Sequence, residues 1–146
     1  MKYAIAMLVG AFACSHVAAA DVCGQLETFA AAVETNTPNG LTDTPVLGAN
    51  ETECSAIMGL EEVGLGGMRK GVSSVECYWD NTDAETYTFD DVRDMAGHLH
   101  ACPALLFDRL EQYDDALEYK FRYSNQTLFL LGNDESGMYL NIFRAE

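Results

Sequence analysis

The sequence predicts an α+β fold: two layers, a mainly antiparallel sheet of about five strands with two helices on one face, pinned by two disulfides. Three observations carry that expectation. Stretches of apolar residues at helical spacing and stretches of strict apolar/polar alternation occupy separate parts of one short chain. Four cysteines follow an export-type leader. Finally, one pair of those cysteines falls at facing positions when two adjacent strand segments are folded onto each other.

The chain opens MKYAIAMLVGAFACSHVAAADVC, with Lys2, an apolar run from Tyr3 to Cys14, and Ala18, Ala19 and Ala20 before Asp21. This is the pattern of a secretory signal peptide cleaved after Ala20. Residues 1–20 are therefore assigned to the leader and 21–146 to a single α+β domain, a length suited to one core. A membrane span needs about 20 apolar residues, and Ser15 and His16 interrupt the run, so no membrane insertion is expected after cleavage. The expected location is periplasmic or secreted. The formal charge of −15 disfavours nucleic acid and anionic membrane surfaces and favours cationic partners.

Residues 22–34 place Leu26, Phe29, Ala30 and Val33 on one helical stripe, with Cys23 at the start. Residues 35–50 (TNTPNGLTDTPVLGAN) have no period and read as a loop. Residues 51–60 and 70–79 then pair as an antiparallel hairpin around Leu65, Gly66 and Gly67. Setting Cys54 opposite Cys77 places Ala56 opposite Val75, Met58 opposite Ser73 and Thr52 opposite Trp79. Three connectivities are open to four cysteines; this register favours Cys54 with Cys77, which leaves Cys23 with Cys102. The rival pair Cys77–Cys102 has to span a helix roughly 20 Å long.

Thr88 with Asp91 forms a capping box, and Phe89, Val92, Ala96 and Leu99 follow one stripe up to Cys102-Pro103. Residues 104–115 (ALLFDRLEQYDD) fit a helical turn or a buried strand and are read as a connector with a possible short strand. From 116 to 124, Leu117, Tyr119, Phe121 and Tyr123 alternate with Glu118, Lys120 and Arg122 in a half-buried strand. Turns at Ser124-Asn125-Gln126 and at GNDESG separate two further strands, 127–131 and 138–144, completing a three-stranded meander.

The spacing C…C-x-W followed by A…F-x-x-V…L-x-x-C, in Cys54, Cys77, Trp79, Ala84, Phe89, Val92, Leu99 and Cys102, resembles a group of small exported bacterial proteins of unassigned function. That resemblance implies the two-layer fold of type III secretion chaperones. It implies no functional residues, since the group has none assigned.

Motifs that compel a chemistry are missing. The densest ligand-like cluster is His98-Leu99-His100-Ala101-Cys102; if Cys102 is oxidised, Asp94 and His98 are left as two ligands where zinc needs three or four. The segment from Asp80 to Glu85 lacks the ligand order of a calcium loop. There is no G-x-S-x-G, and Gly64-Leu65-Gly66-Gly67 is not followed by the Lys-Ser/Thr of a phosphate loop. No catalytic residue and no cofactor is implied. The expected binding patch is aromatic and anionic, made of Tyr78, Trp79, Asp80, Asp83, Glu85, Tyr87 and Asp91. The expected function is a non-enzymatic protein- or peptide-binding module, chaperone-like or an inhibitor of a cationic partner. Alternatives are a small metal- or carboxylate-dependent hydrolase using Asp94 and His98, and an envelope structural subunit, which would show an exposed edge strand and self-association.

Overall fold

A computed structural model describes residues 18–35, 53–63 and 65–145. The helical and alternating segments resolve into α1 (Ala18–Thr35), β1 (Glu53–Val63), β2 (Gly67–Asp80), α2 (Phe89–His100), β3 (Leu106–Gln112), β4 (Leu117–Arg122), β5 (Thr127–Asp134) and β6 (Gly137–Arg144). The six strands form one antiparallel sheet in the order β1-β2-β6-β5-β4-β3. The leader assigned to residues 1–20 lies outside the described residues up to 17, and the loop assigned to 35–50 lies outside them from 36 onward. Helix α1 begins upstream of the expected start at Val22.

The sheet has one strand more than expected. Within residues 104–115, read as a connector with a possible short strand, residues 106–112 form β3 and turn the three-stranded meander into a four-stranded one, β3 to β6. The connection from β2 through α2 carries the chain across to the far edge, so α2 lies over β4 and β5 while α1 lies over β2 and β6. Both helices share one face. On that face the inward-facing positions line up in rows across the strands: Val75–Ile142–Phe129–Phe121, Cys77–Leu140–Leu131–Tyr119 and Trp79–Met138–Asn133, all apolar in character but Asn133. Against these rows pack Leu26, Phe29, Ala30 and Val33 of α1 and Val92, Met95, Ala96 and Leu99 of α2. Burial of this stripe, more than intrinsic propensity, holds such short helices in place.

Both disulfides expected from the register are present: Cys54–Cys77 with Cα atoms 4.0 Å apart and Cys23–Cys102 with Cα atoms 5.4 Å apart. The hairpin register agrees at Cys54↔Cys77 and Ala56↔Val75 but changes beyond Ile57, where Met58 faces Val72 instead of Ser73. The reason is a bulge. Strict alternation would turn Ser73 into the core and Val72 outward; leaving Ser73 unpaired buries Val72 completely, and the Ser73 hydroxyl donates to the Ile57 carbonyl at 2.9 Å. The expected Thr52–Trp79 pair lies outside the described residues.

Polar contacts fix the helix ends. At the start of α2 the Thr88 N–H and hydroxyl both donate to the Asp91 carboxylate, at 2.6 and 2.8 Å. At the end of α1 the Arg144 guanidinium donates to the Val33 and Glu34 carbonyls at 3.2 and 2.8 Å, taking up acceptors a helix terminus leaves free. The Glu34 carboxylate accepts from the hydroxyls of Ser124 and buried Thr127, tying α1 to the start of β5.

Candidate functional site

The expected patch does not stay together, because alternation sends its members to different faces. Trp79 is 1% exposed and lies in the core, on the helix side of β2. This corrects its assignment to a binding surface: an odd-numbered neighbour of Cys77 on the same strand must share the face that the disulfide buries. Asp91 is engaged by Thr88, and Tyr87 is half-buried against the core, its N–H donating to Asn81 Oδ1 at 2.8 Å. Asp83 and Glu85 are exposed on the loop after β2, closed by Thr82 N–H to the Glu85 carbonyl at 2.7 Å.

Tyr78 and Asp80 point to the opposite face of the sheet, where the strand order gives them new neighbours. One row reads Glu118–Gly132–Tyr139–Tyr78, across β4, β5, β6 and β2. The next reads Asp134–Gly137–Asp80. Two carboxylates thus stand two strands apart, with a glycine between them. The resulting surface niche is about 150 Å³ including its mouth and is lined by Tyr78, Asp80, Asp134, Ser136, Gly137, Met138 and Tyr139. Its enclosed part has room for one water-sized group, the bulk of an ammonium head.

Glycine is required at two places. Gly137 has φ +146°, and a Cβ there would stand 2.0 Å from the Trp79 carbonyl oxygen. At Gly132 a Cβ would lie 2.6 Å from the Tyr139 hydroxyl; its absence lets that ring lie across β5 and donate to Glu118 Oε2 at 3.0 Å. The loop after β2 is clipped to the β5–β6 turn through Asn81, whose backbone N–H donates to the Ser136 carbonyl at 2.7 Å and whose side-chain amide donates to the Glu135 carbonyl at 3.2 Å. Asp134 Oδ1 accepts from Ser136 N–H at 2.7 Å, which orients the carboxylate within the turn.

The electrostatics agree in sign. Burial, then the Glu76 carboxylate by charge and by hydrogen bond, then Asp134 and Asp80, push the Tyr78 phenol above its usual range. Burial, the hydrogen bond to Glu118 and the charges of Glu118 and Asp134 hold Tyr139 far above it. For both rings burial is the leading cause, and the neighbouring carboxylates add to it in the same direction.

The sequence reading missed Asp134, Tyr139, Glu118 and the two glycines. The turn GNDESG carried the signal, but its meaning depends on which strand lies beside β2. Asp94 and His98 are both exposed on α2, whereas Cys102 lies beyond the end of the helix, buried and oxidised. Among the described residues, no group of three or more His, Cys, Asp or Glu is placed to hold a metal ion, and no helix is long and apolar enough to cross a membrane. His100 packs against the rings of Phe107, Phe121 and Tyr119, with centroids 5.1, 5.0 and 6.4 Å away. No family model, no curated protein and no solved structure matches the chain.

Proposed function

We propose that the protein is a non-enzymatic module that binds a cationic protein or peptide outside the cytoplasm, taking a lysine ammonium group into the niche between Asp80 and Asp134. The observation that carries this reading is the row Asp134–Gly137–Asp80 beside the row Tyr139–Tyr78. Asp80, Asp134, Tyr78 and Tyr139 line a gap of the right size for one small cation. The net charge of −15 supports it by drawing a basic partner toward the protein. The two disulfides, together with the leader pattern, support a place in an oxidising compartment.

The test is calorimetric titration with a lysine-containing peptide and its norleucine counterpart, at low and high salt. Replacing both carboxylates, Asp80→Asn with Asp134→Asn, is expected to weaken lysine-peptide binding by about tenfold or more, the scale of a hydrogen bond to a charged group. Affinity should also fall with salt. Equal affinity for the norleucine peptide, or binding unchanged in the double variant, would refute the reading.

A further inference from the structure

At the far edge of the sheet, β3 pairs, among the described residues, only with β4, and six of its seven residues are exposed, among them Leu106 at 67%, Phe107 at 48% and Leu110 at 46%. An open edge of this kind is a template for another strand. The hairpin fixes which backbone groups it offers. The Tyr113 N–H donates to the Ala116 carbonyl at 2.8 Å, and the register continues Gln112↔Leu117, Glu111↔Glu118, Leu110↔Tyr119 and Arg109↔Lys120. Bonded and unbonded pairs alternate along an antiparallel ladder. Hence Glu111 and Arg109 direct their N–H and C=O groups to β4, whereas Leu110 and Gln112 direct theirs away from the sheet.

The side chains add a constraint. Leu110 shares the helix-side face with Tyr119, whereas Arg109 and Glu111 share the other face with Lys120 and Glu118. Within one chain, like charges therefore stand directly opposite each other twice: Arg109 beside Lys120, and Glu111 beside Glu118. Such pairs weaken a sheet. The Arg109–Glu111 ion pair along the strand, at 3.0 Å, offsets this only in part, since the Arg109 side chain is 56% exposed.

We propose that β3 pairs antiparallel with β3 of a second copy of this chain, about a two-fold axis through Leu110. In that register Leu110 faces its own copy with outward N–H and C=O groups matched, and each Arg109 faces Glu111 of the other chain. Every row then reads Lys120–Arg109 from one copy against Glu111–Glu118 from the other, so the like-charged pairs of the separate chains meet as opposites. Moving the axis to Arg109 or to Glu111 sets each against itself. Moving it by half a step opposes helix-side residues to residues of the other face, which an antiparallel pair does not allow. The irregularity between Phe107 and Arg109 keeps the ladder short. The dimer is accordingly weak and uses none of the niche residues.

Sedimentation equilibrium of the oxidised, exported protein over a wide concentration range tests the pairing, with the fluorescence of Trp79 as a check on folding. A concentration-dependent dimer is expected. Arg109→Glu is expected to weaken it about tenfold, because two attractive cross-strand pairs become repulsive. Adding Glu111→Arg to that variant restores the association to within about threefold, since the same pairs reappear reversed. Leu110→Pro, which removes the outward N–H but no bond to β4, is expected to leave a folded monomer. A protein monomeric at every concentration, a dimer indifferent to Arg109→Glu, or a double variant that stays as weak as the single one would each overturn the proposal.

Discussion

Alanine replacement of one whole disulfide at a time separates packing from loop closure. Each bridge has one cysteine in the core, Cys102 at 2% and Cys77 at 0% exposure, and one at its margin, Cys23 and Cys54. The packing lost is therefore similar for the two pairs. The loops they close are not: the partners are 79 residues apart in Cys23–Cys102 and 23 apart in Cys54–Cys77. Loop-closure entropy gives about 4.5 kcal/mol for the longer loop and about 3.4 kcal/mol for the shorter. The variant lacking Cys23–Cys102 should thus be the less stable of the two by about 1 kcal/mol. For a domain of this size that is about 4 °C, on top of falls of roughly 14 °C common to both. Remaining contacts do not reverse the order, because β1 keeps its backbone ladder to β2 while α1 keeps the Glu34 and Arg144 contacts. The chain has one tryptophan, and Trp79 is 1% exposed, so its emission reports loss of the core in thermal or urea unfolding. A Cys54→Ala/Cys77→Ala variant as unstable as Cys23→Ala/Cys102→Ala, or more so, would refute the loop-entropy argument and locate the stabilisation in the hairpin itself.

Three further outcomes follow from particular residues. Gly137→Ala is expected to cost more than about 2 kcal/mol in urea unfolding, since neither φ +146° nor the 2.0 Å approach to the Trp79 carbonyl tolerates a Cβ; a cost below half that figure would mean the β2–β6 approach is loose. Leu65 is exposed and has φ 43°, so Leu65→Asn should raise stability by about 0.5–1 kcal/mol, Asn being at ease in the left-handed region; an unchanged urea midpoint would count against that geometry. Tyr139 in the folded chain holds its proton above the ordinary value of 10.0, so its stabilising contribution is full below that pH and lost as pH rises beyond it. Urea midpoints compared on either side of pH 10 should accordingly fall more steeply for the natural protein than for Tyr139→Phe, and parallel curves would remove the role given to Glu118.

The sequence by itself determined those features that depend on neighbours along the chain. The stripe of α2 and its Thr88–Asp91 box, the alternation of β4, and the facing positions of Cys54 and Cys77 are local, and the four cysteines that follow Ala20 have three ways to pair. Strand β3 was left open between a helical turn and a short strand because almost nothing on it is buried: with both faces exposed, Leu106–Gln112 has no alternation to read, and pairing with β4 makes it a strand. The bulge at Ser73 was hidden for a related reason, since the burial of Val72 against the helices, and not the hairpin pattern, decides which side chain turns inward. Tertiary structure alone decided the niche. Asp80 and Asp134 lie far apart in sequence and share a row only because β6 inserts between β2 and β5 and brings Gly137, with no side chain, into the space between them. Strand order is set by how the whole apolar face packs beneath two helices, and no local pattern of residues records it.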